Sequence, residues 1–345
     1  MHVSTRSIRW LAAAATFAAV TLAVAAFALG FSSPAKADSS SCADAITGAP
    51  TGPATVSAER KAPFGKVLVV GGGGQYDGCS LYLLSSDQLH ALSGGATPYG
   101  CSDNGNALGA PCDTILWPAL LTAGAPIAGP GVNPTLLGTV TRTDIEGLPA
   151  VQQVTYAGQP LYRFIFDESS DEIEGANLFD PVTSPPGTWF LVDPSRGLPA
   201  TGTAQLQVET APLNGTGPEE TVLAAMMSND FTTLFPPGGG AFPVYTSSAD
   251  SGHQSVCQGA CAAADWQPVL TSGRAQAGPG VDRHAVGIIV RPDGTHQVTY
   301  NGKPLYLNFG DAYLAGVPFY NGGLPTINGD GAVTPFGVFN TIQLP

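Results

Sequence analysis

The segment GIIVRPDGTHQVTYNGKPLYLNF, residues 287–309, sets the pattern of the chain. An apolar run ends at an Asp-Gly pair, a β-rich run follows to an Asn-Gly pair, and a third run opens at Pro304. Asp-Gly and Asn-Gly supply the positive φ angles that tight hairpins require. A proline at the start of a strand loses no ladder hydrogen bond. Beyond the N-terminal segment no apolar stripe keeps a 3.6-residue period for more than a turn or two. EETVLAAMM (219–227) has helical composition but aligns with the strand-like GKVLVV of residues 65–70. The pattern predicts an all-β protein of antiparallel hairpins with no long helix.

The hairpin phrase occurs twice, as QVTYAGQPLY (153–162) and QVTYNGKPLY (297–306). Upstream, GPGVNPTLLGTVTRTD (129–144) matches GPGVDRHAVGIIVRPD (278–293), and the same offset carries Trp117 onto Trp266 and Cys112 onto Cys261. Such self-similarity is the mark of a tandem duplication. It divides the chain into a first β-repeat half, 38–194, a Pro/Gly-rich linker, 195–204, and a second half, 205–345. A finer pattern lies inside each half. Tyr82 precedes Asp87 by five residues, and Tyr162–Asp167, Tyr245–Asp250 and Tyr306–Asp311 keep that spacing. Four such units suggest four small propeller-like sheets, closed in a ring or paired as sandwiches. A Tyr ring in the core with Asp capping a turn would account for the motif, whereas a binding surface would need exposed rings.

VYTSSADSGHQSVCQGACAAADWQPVL (244–270) together with DGTHQVTYNGKPLY (293–306) resembles the bacterial family of secreted repeats of unknown function. Its members are exported, often as lipoproteins, and carry a Tyr-x-aromatic-x-x-Asp motif. YRFIFD (162–167) has the full motif, with Phe164 as the aromatic; Leu84, Ser247 and Asn308 take that place in the other copies. The resemblance implies exported β-repeat modules and brings no established activity.

The N-terminus agrees with export. Arg6 and Arg9 precede an apolar run from Trp10 to Phe31, and Ala35 and Ala37 form an A-x-A cleavage site. The expectation is a signal peptide over 1–37; the alternative is an uncleaved membrane anchor, since the run is long enough to span a bilayer. Cys42 follows Ser39, Ser40 and Ser41, which is not a lipidation signal. Cleavage removes Arg6, Arg9 and Lys36 but no acid, leaving ten cations against 26 acids. A charge of −16 repels phosphate backbones and anionic lipid, so nucleic acid is not an expected partner, nor is stable membrane insertion after processing.

In an exported chain, Cys42, Cys79, Cys101, Cys112, Cys257 and Cys261 read as three disulfides. CQGAC closes locally, Cys112 as the counterpart of Cys261 pairs with Cys101, and Cys42 is left for Cys79. The competing reading is a copper or zinc site of His253, Cys257 and Cys261, spaced four apart. VLVVGGGGQYDG (67–78) lacks the helix that a nucleotide loop needs and reads as a wide hairpin tip. DSG (250–252) has no partner motif for an aspartic dyad, and LPATG (198–202) sits far from the C-terminus where sorting signals lie. DESSDEIE (167–174) offers oxygens for calcium without EF-hand spacing and reads as a solvated acidic loop.

These readings converge on an exported, non-catalytic cell-surface or extracellular module with no cofactor and an unidentified ligand. Two alternatives stand beside it: an extracytoplasmic redox or metal-handling protein built on His253, Cys257 and Cys261, and an enzyme with its site between the halves.

Overall fold

The computed structural model describes residues 42–87, 99–102, 112–180, 183, 187–214, 216–226, 241–252, 254–258, 261, 266–314, 317–318 and 326–344. The expected signal peptide and His253 lie outside these residues. Among the described residues the strands form six sheets of two to eight strands, none closed into a barrel. The chain is therefore all-β, as its patterning predicts, but six open sheets replace the four separate blades. The second repeat departs furthest from separate blades, because Phe242–Ser247 pairs with Glu219–Met226, Tyr306–Asn308 and Gly337–Thr341 and joins them in one sheet of eight strands.

Each repeat begins with a long hairpin. Thr55–Lys61 pairs with Gly65–Gly71, and Gln205–Pro212 pairs with Glu219–Met226, so the segment of helical composition is a strand. Its Val222, Leu223, Ala224 and Ala225 are all buried. Burial on both faces favours the extended chain over a helix that would expose half of these residues. One departure from antiparallel hairpins recurs in both repeats. Ile127–Ala128 adds in parallel to Thr55 and Val56, and Gln276–Ala277 adds in parallel to Gln205 and Leu206.

The repeated ten-residue phrase forms the second hairpin. Leu137–Arg142 pairs with Val151–Tyr156, and Val286–Val290 pairs with His296–Tyr300. The run expected as one third strand is split. Lys303–Pro304 folds back on Thr299 and Tyr300, while Tyr306–Asn308 crosses to the eight-stranded sheet. In consequence the phrase serves two cores. Val154, Tyr156 and Leu161 pack in one hydrophobic cluster, and Tyr162 in another. Val298, Tyr300 and Leu305 are divided from Tyr306 in the same way. Within 195–204, Pro199–Ala200 forms a short strand on Gly187–Val192, and Ser272 N donates to Gly202 O at 2.7 Å.

The turn closing the second hairpin needs two residues of positive φ. Asn301 and Gly302 supply φ of 50° and 75°, and Ala157 and Gly158 supply 50° and 83°. An alanine there holds its Cβ against a carbonyl oxygen, which a left-handed residue other than glycine or asparagine tolerates poorly. Ala157→Asn is expected to raise the unfolding free energy by up to about 1 kcal/mol, read as a higher urea midpoint; an unchanged or lowered midpoint would show that this turn carries no strain.

Candidate functional site

The four Tyr–Asp motifs do not close on themselves. Tyr82 and Tyr162 are antiparallel bridge partners, with Tyr82 N donating to Tyr162 O at 2.9 Å and Tyr162 N to Tyr82 O at 3.0 Å. Tyr245 and Tyr306 pair likewise. An antiparallel bridge is a local two-fold relation, so the chain leaving one tyrosine brings its aspartate to the other. Tyr82 Oη donates to Asp167 Oδ2 at 2.7 Å, and Tyr245 Oη donates to Asp311 Oδ2 at 2.7 Å. Tyr306 Oη donates to Asp250 Oδ1 at 3.0 Å, and Tyr162 lies against Asp87. Three motifs are thus completed by a hydrogen bond from the neighbour, while Tyr162 Oη and Asp87 Oδ2 are buried side by side without one.

Each aspartate also holds an incoming loop. Asp87 Oδ1 accepts Gly100 N at 2.7 Å, Asp167 Oδ1 accepts Glu174 N at 2.8 Å, Asp250 Oδ1 accepts Val256 N at 2.9 Å, and Asp311 Oδ1 accepts Asn328 N at 2.7 Å. The carboxylate pins a loop to the sheet while anchoring a ring. All four tyrosines have no exposed surface, so the motif offers no aromatic face to a ligand.

Around the pairs lies an aromatic stack that each repeat builds alike. Trp117 stacks on Trp189 at 3.8 Å between centroids, and Trp266 stacks on Phe339 at 3.8 Å. Phe164, the one motif aromatic, stacks on the other face of Trp117 at 4.0 Å. Two glycines permit this packing: a Cβ on Gly175 would stand 2.6 Å from Trp117 Cη2, and one on Gly329 would stand 2.6 Å from Trp266 Cη2.

Arg142 and Arg291, which motif reading passes over, occupy equivalent buried places. Arg142 Nη1 donates to Gln153 Oε1 at 2.6 Å and Arg291 Nη1 to Gln297 Oε1 at 2.7 Å. Arg142 Nη2 reaches Cys101 O and Arg291 Nη2 reaches Cys257 O, both at 3.0 Å. The opening glutamine of the repeated phrase passes the contact on, since Gln153 Nε2 donates to Leu161 O and Gln297 Nε2 to Leu305 O. The signal was present in sequence as TRTD aligned with VRPD. Asp113 and Asp144 also pair with Arg142.

Burial governs the titration of these groups. Loss of water raises Asp87, Asp167 and Asp311 to about 7, against the lowering effect of the hydrogen bonds they accept. Asp250, half-buried, is raised by the same cause, and burial pushes the partner tyrosines up.

The cysteines form three disulfides, Cys42–Cys79, Cys101–Cys112 and Cys257–Cys261. With Cys257 and Cys261 joined to each other, neither sulfur is a thiolate able to bind copper or zinc. In the acidic loop Asp167 turns inward to Tyr82, and Glu172 Oε2 caps Glu168 N and Ser169 N. The glycine run 71–74 forms a turn, with Gly73 N bonded to Asp77 Oδ1 at 3.0 Å, and the chain returns as a bridge from Ser80 to Val69.

The site is a structural clamp inside a disulfide-bonded β-repeat protein. A family model described as "secreted repeat of unknown function" matches residues 287–316, which contain Arg291, Gln297, Tyr306 and Asp311. No curated protein and no solved structure matches the chain. The match and the disulfides point to an extracytoplasmic location.

Two measurements follow from this geometry. Gly329→Ala forces a methyl group into Trp266 and is expected to cost about 1–3 kcal/mol in unfolding free energy; a cost near zero would mean the stack yields freely. An aspartate raised to about 7 binds its proton in the folded state at pH values where the unfolded chain has lost it. Its stabilising effect is complete below about pH 4 and disappears as the pH rises through 7. The stability of the parent chain relative to Asp311→Asn should therefore fall between pH 4 and 7, and a difference that rises over that range would show an ionised Asp311.

Proposed function

We propose that the protein is an exported, non-catalytic β-repeat module that serves at the cell surface or in the extracellular space. The observation that carries this reading is the use to which the motif residues are put. The tyrosines and aspartates that mark the family resemblance are spent on holding sheets and loops together inside the core, and the duplicated phrase supplies both halves with the same frame. In this reading residues 1–37 direct export and are removed, 38–194 and 205–345 are the two repeat halves, and 195–204 joins them. The disulfides suit the oxidising compartment and support a chain with few charged side chains.

Intact mass of the protein released from an exporting host, with and without alkylation and in native as well as denaturing spray, tests the reading. The expected result is a chain beginning at Asp38 with six protected cysteines and no metal increment. Two alkylatable thiols with a copper- or zinc-sized increment would replace it with the metal-handling alternative at His253, Cys257 and Cys261.

A further inference from the structure

A cavity of about 240 Å³ opens where Gly65–Gly71, residues 193–201, residues 270–272 and the start of His296–Tyr300 meet. Its apolar lining is Leu198 with the edges of Phe64 and Leu270, each of which is only 6% exposed. Three nitrogen-bearing side chains line it as well: Lys66, Arg196 and His296. In a chain with 26 acids and 13 lysines and arginines, that gathering inverts the local sign of charge. The one carboxylate in the lining, Asp193, is already engaged by Ser195 N at 2.8 Å, by Ser195 Oγ at 2.6 Å and by Arg196 Nε at 3.3 Å. Among the described residues neither the Lys66 ammonium nor the His296 ring has a hydrogen-bond or ion-pair partner.

The hydroxyls in the lining narrow the chemistry. Ser272 Oγ gives its hydrogen to Gly202 O at 2.7 Å, and Thr271 Oγ1 gives its hydrogen to Gly273 O at 3.0 Å. Thr295 Oγ1 is likewise held by Asp293 Oδ1 and Thr201 Oγ1 by Gly202 O, so the donors left for a ligand are the Lys66 ammonium and a His296 ring N–H, and they favour an anion. A purely inorganic anion would leave Leu198, and the edges of Phe64 and Leu270 that reach the cavity, against water. A small carboxylate with an apolar body satisfies both sides, because its ring or chain covers that lining while its charge meets Lys66 and His296. The volume is adequate, since an apolar cavity of ~150 Å³ accepts benzene.

We propose that this cavity binds a small organic carboxylate with an apolar body. The proposal rests on reading the chain as a non-catalytic module and gives that module a ligand class.

The test is calorimetric titration of the intact exported protein with benzoate and with benzamide, its uncharged counterpart of the same shape. The expected result is saturable binding of benzoate at one site, with benzamide at least tenfold weaker. The double variant Lys66→Met/His296→Gln should lose at least tenfold in benzoate affinity; both positions have exposed or half-exposed side chains, and an unchanged unfolding midpoint confirms that the variant is folded. Non-saturable heat, equal binding of benzoate and benzamide, or full affinity in the folded double variant would each overturn the proposal. Benzoate recovered intact by mass spectrometry keeps the non-catalytic reading, whereas conversion of bound benzoate would end that reading and leave the site standing.

Discussion

A phenol hydroxyl bonded to a carboxylate away from water is the interaction on which this fold depends. Neither group tolerates burial alone, since an unpaired polar group in a protein interior costs about 1–3 kcal/mol. Together they let a tyrosine ring enter the core completely, and the same carboxylate takes a loop amide, on its other oxygen at Asp167 and Asp311 and on the shared Oδ1 at Asp250. The exchange works because the tyrosines face each other across an antiparallel bridge. Sheet register, ring packing and loop position are consequently fixed by one geometry, and a slip of one residue would strand the carboxylates opposite apolar neighbours.

The arginine–glutamine contact is the second tier of the same arrangement. Arg142 and Arg291 each stand under a cysteine carbonyl and reach the phrase through its glutamine, so the disulfide segment and the second hairpin share one anchor. The repeats are not equal in charge. Arg142 is met by Asp113 and Asp144, whereas the position corresponding to Asp113 is Ala262. Arg291 relies instead on Ser255 Oγ at 2.9 Å and a longer approach to Asp293 at 3.6 Å. Removing one partner of a buried ion pair is far more damaging than never having had the pair, so the first repeat is the less tolerant of change at its arginine.

Much of this was legible in the chain. Asn301-Gly302 and the alternation around it gave the hairpins, the constant offset gave the duplication, and the five-residue spacing gave the Tyr–Asp motif. What escaped was non-local. Spacing within a motif cannot reveal that Tyr82 reaches Asp167 instead of Asp87, because that depends on which strands pair. Gly175 and Gly329 are two glycines among 44, and only the tryptophan ring above each distinguishes it. The fusion into an eight-stranded sheet depends on where Tyr306–Asn308 lands after Leu305, and the apolar pattern of a run does not say which sheet receives it.

The crossed pairing separates the unit that sequence recognises from the unit that can fold. The segment matched by the family model, 287–316, holds one tyrosine and one aspartate of the motif, and both of their partners lie upstream at Asp250 and Tyr245. A single copy of the motif is thus half of a lock. Gain or loss of one copy would leave a phenol and a carboxyl buried with no answer, so copies of the motif are gained or lost two at a time.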